Sequence, residues 1–143
     1  MIKKFELDLS SKITILGVDL FRIKALISFG NIKEGELGGY VEKEDNLSHS
    51  GNAWVSGNAR VSGNAEVSGN AWVSKLNDYI LFKNTWSSGR CFTYTKSNEM
   101  WKVGCFYGTG EELVKKAYED SEKSGKHYEA YVNFVKTLEA LDK

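Results

Sequence analysis

The sequence predicts a mainly β protein with a C-terminal α part. Residues 51–74 are four back-to-back copies of the six-residue unit Gly-Asn-Ala-x-Val-Ser. From Thr109 onward, apolar residues instead recur at helical spacing behind a Thr-Gly-Glu-Glu capping box. We therefore predict four segments: an N-terminal β meander and connector (1–36), a repeat region (37–80), a small β sheet (81–107) and a helical hairpin (108–143).

The repeat indicates short strands separated by corners. Within each copy, Ala and Val are two residues apart, so both point to one face of an extended segment and the variable residue points to the other. Gly and Asn follow, and these residues adopt positive φ most readily. A period of six keeps no helical face, and a disordered low-complexity segment would not require valine in strict register. The stretch therefore predicts a β-solenoid with valine inside.

The pattern Val-Ser-Gly-Asn-Ala-x resembles the hexapeptide repeat of left-handed parallel β-helices. In that family, three hexads form one triangular coil, and the aliphatic residue fills its interior. The resemblance implies that residues 18 apart stack, with Val55 against Val73. It also implies that Trp54 lies above Trp72, with both indoles facing outward.

The array also extends towards the N-terminus. Val41 and Leu47 are six residues apart, and a two-residue insertion around His49 separates Leu47 from the next valine. The predicted short left-handed parallel β-helix therefore spans 37–80, or about two to two and a half coils. A stack this short needs caps or a second subunit to bury its core. We therefore expect a homo-oligomer, either a trimer or a dimer.

The flanking segments have their own patterns. Residues 5–9 and 13–15 alternate apolar with polar side chains, which predicts the β meander that caps the first coil. The small sheet is predicted from β-rich runs at 79–83, 91–95 and 101–106. Two amphipathic stripes predict the helical hairpin, with a break at Ser124-Gly125 and a second helix from about Lys126.

Composition limits the possible functions. The formal net charge is zero, which argues against a general nucleic-acid or membrane binder. No stretch approaches ~20 apolar residues, and the N-terminus lacks the apolar core of a secretory signal. The two cysteines and two histidines are not at metal-ligand spacing, so we expect neither a metal nor a cofactor.

A second resemblance covers most of the chain. The runs Leu-Phe-Arg-Ile-Lys-Ala-Leu (20–26), Leu-Gly-Gly-Tyr-Val-Glu (37–42), Gly-Asn-Ala-Trp-Val (51–55) and Gly-Cys-Phe-x-Gly-Thr-x-Glu-Glu (104–112) look like a group of phage and prophage proteins with Gly-Asn-Ala arrays. Members are commonly labelled transferases or carry no assigned activity. The resemblance implies a viral or prophage origin and expression in the cytoplasm of a bacterial host.

His49 is the candidate catalytic residue. Enzymes with hexapeptide repeats are mostly acyltransferases, in which a loop histidine acts as general base. His49 lies in the two-residue insertion, where such a loop would leave the coil. The insertion is too short to embrace a substrate, however, and spacing specifies no carboxylate partner. His49 as an ordinary corner residue is the favoured interpretation.

Two groups of residues are candidates for binding. Trp54 and Trp72 would share one outward face of the repeat, and Arg60 is a further candidate at the variable position; such exposed residues are typical of interfaces or of a self-interface. The basic, aromatic-rich segment 83–102 could hold a nucleotide by stacking and phosphate contacts, or could be an ordinary sheet with solvated charges. Its candidate residues are Trp86, Arg90, Lys96, Trp101 and Lys102.

Together these features predict a non-enzymatic phage protein that binds a host factor. The resemblance favours an inhibitor of bacterial antiviral defence, which either blocks a defence protein or sequesters a nucleotide signal. The alternatives are a hexapeptide-repeat acyltransferase with His49 as general base and a structural phage component.

Overall fold

The computed structural model describes residues 2–142, and its elements follow one another in the order strands, then helices. The strands are β1 (Phe5–Ile15), β2 (Val18–Ala25), β3 (Leu37–Val41), β4 (Trp54–Val55), β5 (Arg60–Val61), β6 (Trp72–Val73), β7 (Tyr79–Lys83), β8 (Cys91–Thr95), β9 (Met100–Val103) and β10 (Phe106–Gly108). The helices are α1 (Gly110–Asp120) and α2 (Glu122–Leu141), and short 3-10 turns lie at Glu44–Asn46 and Leu76–Asp78.

The first sheet has the order β1-β2-β3-β5 and is mixed. β1 pairs with β2 and β2 with β3 antiparallel, whereas β3 pairs with β5 parallel. The β1–β2 hairpin turns at Leu16 and Gly17, which both have positive φ. The two-residue strands β4 and β6 form a separate parallel sheet, in which Val55 pairs with Val73.

The repeat valines form the first hydrophobic core. Parallel pairings bring Val41 onto Val61, Leu47 onto Val67 and Val55 onto Val73. All five valines of this set are completely buried, together with Phe5 and Ile23 from the N-terminal strands, so the predicted inward face of the repeat is confirmed. The backbone is also closely packed at the glycine corners. Gly51 has a φ of +72°, and a Cβ there would lie 2.5 Å from the carbonyl oxygen of Gly69.

The prediction of a left-handed parallel β-helix over 37–80 is nevertheless wrong. Residues 2–142 contain no closed or solenoid sheet, because β5 joins the antiparallel β1-β2-β3 sheet while β4 and β6 pair only with each other. Each repeat strand is two residues long, and the unit at 63–68 contributes only the isolated bridge to Leu47. The flanking segments compete for the edges of these short strands, and antiparallel sheets occupy both ends of the array.

The second sheet is antiparallel, in the order β10-β9-β8-β7, and lies between the repeat and the helices. On one face of it, Phe92, Tyr94 and Trp101 pack against the helices in a second core. On the other face, Thr93 bonds to the repeat, where its hydroxyl oxygen accepts a hydrogen bond from the Glu66 N–H.

The C-terminal helices form a hairpin. Thr109 caps α1 as the capping box predicts, because its hydroxyl accepts from the Glu112 N–H and the Glu112 carboxylate accepts from the Thr109 N–H. The predicted break at Ser124-Gly125 is wrong, since the helices meet at Ser121. Gly125 instead lies in α2 against the Tyr118 ring, which leaves no room for a Cβ. No helix in residues 2–142 is long and apolar enough to cross a membrane.

Candidate functional site

Hydroxyl groups of the second sheet and of its β8–β9 turn bind the end of the repeat array. The Trp72 N–H donates to the Ser97 hydroxyl at 2.8 Å, and the Glu66 N–H donates to the Thr93 hydroxyl at 3.0 Å. The Tyr107 hydroxyl donates to the Ser68 carbonyl oxygen at 3.3 Å. These bonds satisfy backbone groups that a further repeat unit would otherwise pair, and they place the second sheet directly beside the array.

An open recess runs along this junction. Two adjoining cavities of about 350 Å³ and 310 Å³ share Asp45 and Glu66 in their walls. We call this recess the seam groove and define it by its charged side chains, which are Lys43, Glu44, Asp45, Glu66, Arg90 and Lys102. Glu44 is already paired with Lys3 and His49. It is the candidate binding site, because residues of both the repeat region and the second sheet line it.

The basic side chains of the seam groove are held without carboxylate partners. The Lys43 ammonium donates to Asn64 Oδ1 at 2.8 Å, and the Lys102 ammonium donates to the Gly104 carbonyl oxygen. The Arg90 guanidinium lies against Gly104, where a Cβ would collide with it. Within residues 2–142, no carboxylate lies within 4.0 Å of these three cations. Their charges therefore remain available to a ligand.

His49 lies at one end of the seam groove, with both ring nitrogens engaged. Nδ1 accepts the Lys4 N–H at 3.0 Å, which places the ring proton on Nε2, 2.7 Å from Glu44 Oε1. The ring also stacks on Phe5, with centroids 4.3 Å apart. The His49 and Lys3 hydrogen bonds lower the pKa of Glu44. No lone pair of His49 is free to accept a substrate proton while the Lys4 N–H occupies Nδ1.

Lys4 is a buried cation that the sequence does not predict. Its ammonium donates to the carbonyl oxygens of Ala53, at 2.7 Å, and of Gly51, at 3.3 Å, and lies 4.8 Å from the centre of the Phe29 ring. Burial lowers the pKa of Lys4 to about 8. Lys4 therefore ties the N-terminal strand to the first repeat corner. In the sequence it is one of two adjacent lysines before the alternating run, a pattern typical of exposed residues.

The tryptophans of the repeat have different environments. Trp54 pairs with Trp72 in the predicted register, but the prediction that both indoles face outward is wrong. Trp54 is 1% exposed, because Phe29 packs edge-on against it and Gly38 lies over its ring, whereas Trp72 is 38% exposed. Arg60, the binding candidate at the variable position of the second unit, is half-buried at the edge of the first sheet.

The basic, aromatic segment does not converge on one place. Trp86 and Trp101 belong to the second core, where the Trp86 indole N–H donates to Ser124. Lys96 pairs with Asp142 at 2.7 Å, at the far end of the sheet. The structure brings only Arg90 and Lys102 into the seam groove. Sequence reasoning missed Lys43, Asp45 and Glu66, which join them only through the contact between sheet and repeat.

Comparisons with known proteins provide no function for this chain. Searches of protein-family models and of curated proteins find no match to this chain. Among residues 2–142, no group of three or more His, Cys, Asp or Glu side chains is placed to hold a metal ion. The resemblance to phage proteins with Gly-Asn-Ala arrays stays a prediction.

Proposed function

We propose that this protein is a non-enzymatic binding protein whose partner is a protein of a bacterial host. The observation that carries the proposal is the set of unpaired charges in the seam groove. Three cations and three carboxylates line it, and within the described chain only one of the six, Glu44, forms an ion pair. Charges of both signs match the mixed charge of a protein surface and set the register of a partner.

A nucleotide fits the seam groove less well. Nucleotide binding without specific base contacts relies on aromatic rings that stack on the base, and Trp86 and Trp101 are committed to the second core. Asp45 and Glu66 would also repel phosphate groups placed between Arg90 and Lys102. Of the two predicted forms of inhibition, the groove therefore favours blocking a protein over sequestering a nucleotide signal.

Catalysis is also less well supported than binding. A general base needs a free lone pair within hydrogen-bond reach of the substrate, and the Nδ1 lone pair of His49 holds the Lys4 N–H. The nearby hydroxyls of Ser48 and Ser50 bond to each other at 3.0 Å. The hydrogen bonds of these side chains therefore fit a structural role near His49 better than a catalytic role in acyl transfer.

The biological setting comes from the resemblance to phage proteins. A phage protein that acts by binding would meet its partner in the host cytoplasm, and inhibition of antiviral defence is the corresponding role. We therefore propose that the seam groove docks on a charged segment of a bacterial defence protein and blocks it.

The test compares capture of host proteins by three forms of the tagged chain. The wild type is compared with the double variant Arg90→Glu and Lys102→Glu and with the control Lys116→Glu, which reverses an exposed charge on α1. We expect the wild type and the control to retain the same bacterial protein, and the double variant to lose it. Binding should weaken as salt rises, because the contacts are exposed charges.

Other outcomes would count against the proposal. Equal capture by all three proteins would remove the seam groove from the interface. If a panel of nucleotides raised the melting temperature of the wild type but not of the double variant, nucleotide sequestration would replace protein binding. If acyl transfer from coenzyme A were detected and abolished by His49→Ala, the protein would be an enzyme.

A further inference from the structure

Strand β7 is an open edge of the second sheet. It is the last strand in the order β10-β9-β8-β7, and no strand in residues 2–142 pairs with its outer side. Just outside β7, the Asp78 carbonyl accepts from the Lys96 N–H, and the Asn84 N–H donates to the Arg90 carbonyl. Because hydrogen bonding alternates along an antiparallel strand, even-numbered residues face β8. The backbone groups of the odd-numbered residues therefore point outward: Tyr79, Leu81 and Lys83.

This edge lacks the protection present at β1. β1 is the outer strand of the first sheet, and its register with β2 shifts between Asp8 and Ile13. The Asp8 carboxylate also accepts from the Ser10 N–H, and such a bulge prevents a regular strand from pairing there. β7 pairs with β8 in unbroken register, and its central outward residue, Leu81, is 38% exposed. Of these two edges, only β7 offers a regular template.

We propose that β7 pairs antiparallel with β7 of a second copy of this chain, in a register centred on Leu81. In this register Leu81 faces the partner's Leu81, and Tyr79 lies opposite the partner's Lys83. Outward-facing backbone groups then meet outward-facing groups, because each pair joins two odd-numbered residues. The two four-stranded sheets become one continuous sheet around a two-fold axis.

The charges on the edge are compatible with this two-fold pairing. Lys83 is the one ionisable ammonium or carboxylate within β7. In the register centred on Leu81, the two Lys83 positions are offset by four residues, or ~13 Å at ~3.3 Å per residue. That distance exceeds the ~8 Å screening length at physiological salt, so their repulsion is weak. Each lysine lies instead opposite an uncharged Tyr79, whose half-buried ring packs against the first core and whose hydroxyl donates to the Arg60 carbonyl oxygen.

The small area buried by the strand pair indicates that other surfaces contribute to the interface. A pair of five-residue strands buries less surface area than the ~1,200 Å² that specific interfaces bury. Exposed apolar side chains of α2 lie beside the edge and add to it. Phe134 is 51% exposed and contacts the Phe82 ring of β7, with centroids 6.5 Å apart, and Leu141 is 75% exposed. We therefore expect the interface to include the outer surface of α2 from both copies.

The proposal is tested on the purified protein alone, so it does not depend on the seam groove or on a host partner. Sedimentation velocity over a wide range of concentrations should show a monomer–dimer equilibrium. Leu81→Pro removes one outward N–H but no bond to β8, and we expect it to be monomeric. Leu81→Lys places two ammonium groups at the two-fold axis, and we expect a dissociation constant at least ~10-fold higher that falls again at high salt.

The control is Leu9→Lys, which adds the same charge at an exposed leucine of the bulged β1 edge and should leave the dimer unchanged. Hydrogen exchange provides a second readout. Amides of Tyr79, Leu81 and Lys83 should become protected as concentration rises in the wild type and in Leu9→Lys, but not in the Leu81 variants. A wild type that stays monomeric throughout would overturn the proposal. So would a dimer that persists in both folded Leu81 variants, or one that Leu9→Lys dissociates.

Discussion

Replacing Lys4 with methionine tests whether the N-terminal strand buries a cation. Burial lowers the pKa of Lys4 from 10.5 to about 8 in the folded protein. Between these two values the unfolded chain holds a proton that the folded chain has released. The free energy of unfolding therefore rises with pH in this window, and below it the buried charge lowers stability. Lys4→Met has no titratable group at this position, so its free energy of unfolding lacks this pH dependence.

The size of the effect follows from the same pKa change. A fall from 10.5 to about 8 corresponds to about 3 kcal/mol, because each pKa unit is worth ~1.4 kcal/mol. Methionine also leaves the carbonyl oxygens of Gly51 and Ala53 without the ammonium donor, at a cost of about 1–3 kcal/mol that should depend little on pH. We expect the wild type to gain about 3 kcal/mol over Lys4→Met between pH 7 and pH 11.

Urea unfolding of both proteins, followed by tryptophan fluorescence at steps of pH, measures this difference directly. Other titrating groups contribute to both proteins and cancel in the comparison. Lys3→Met is the matched control, because Lys3 adjoins Lys4 but its side chain is largely exposed and, within residues 2–142, pairs only with Glu44. Its effect should stay below about 1 kcal/mol. A Lys4→Met difference that is flat or falls with rising pH would show that Lys4 is not desolvated.

Three further changes test packing and capping. Gly125→Ala forces a Cβ into the Tyr118 ring and should cost about 1–3 kcal/mol, measured as a lower melting temperature; an unchanged value would contradict the close contact of the helices. Thr109→Ala should cost about 1 kcal/mol in urea unfolding, with Thr109→Ser close to wild type. Gly69 has a φ of +65°, and a Cβ there would collide with Tyr107. We therefore expect Gly69→Ala to speed amide exchange at the contact between the second sheet and the repeat. Unaltered exchange would refute that contact.

The repeat shows what a sequence pattern can predict. Strict spacing placed the valines in one core and paired Val55 with Val73, because alternation and register depend only on neighbouring residues. It did not predict the class of sheet. Whether two-residue strands continue into a coil depends on the segments that compete for their edges, and β2-β3 and the second sheet take those edges. That competition is a tertiary property, and a six-residue period carries no information about it.

The candidate site shows the same limit more strongly. Arg90 and Lys102 could be selected from the sequence because basic residues cluster around them. Lys43, Asp45 and Glu66 could not, since they join these two only after the second sheet docks on the repeat. The burial of Trp54 was missed for a related reason. Its neighbour Phe29 comes from a connector whose path over the repeat is not encoded in any local pattern.

The invariant and the variable positions of the repeat therefore have separate roles. Gly, Ala and Val at fixed positions build corners and core, and substituting them changes stability before it changes any binding surface. The side chain at the variable position instead differs with its surroundings: Trp54 packs against the connector, and Glu66 lines the seam groove. A surface charge reversal at Glu66 should therefore alter partner binding with little effect on folding, whereas Val67→Ala in the same unit should cost about 2 kcal/mol in stability. Measuring both variants by urea unfolding and by host-protein capture separates the two roles, and equal effects of the two substitutions in both assays would refute the distinction.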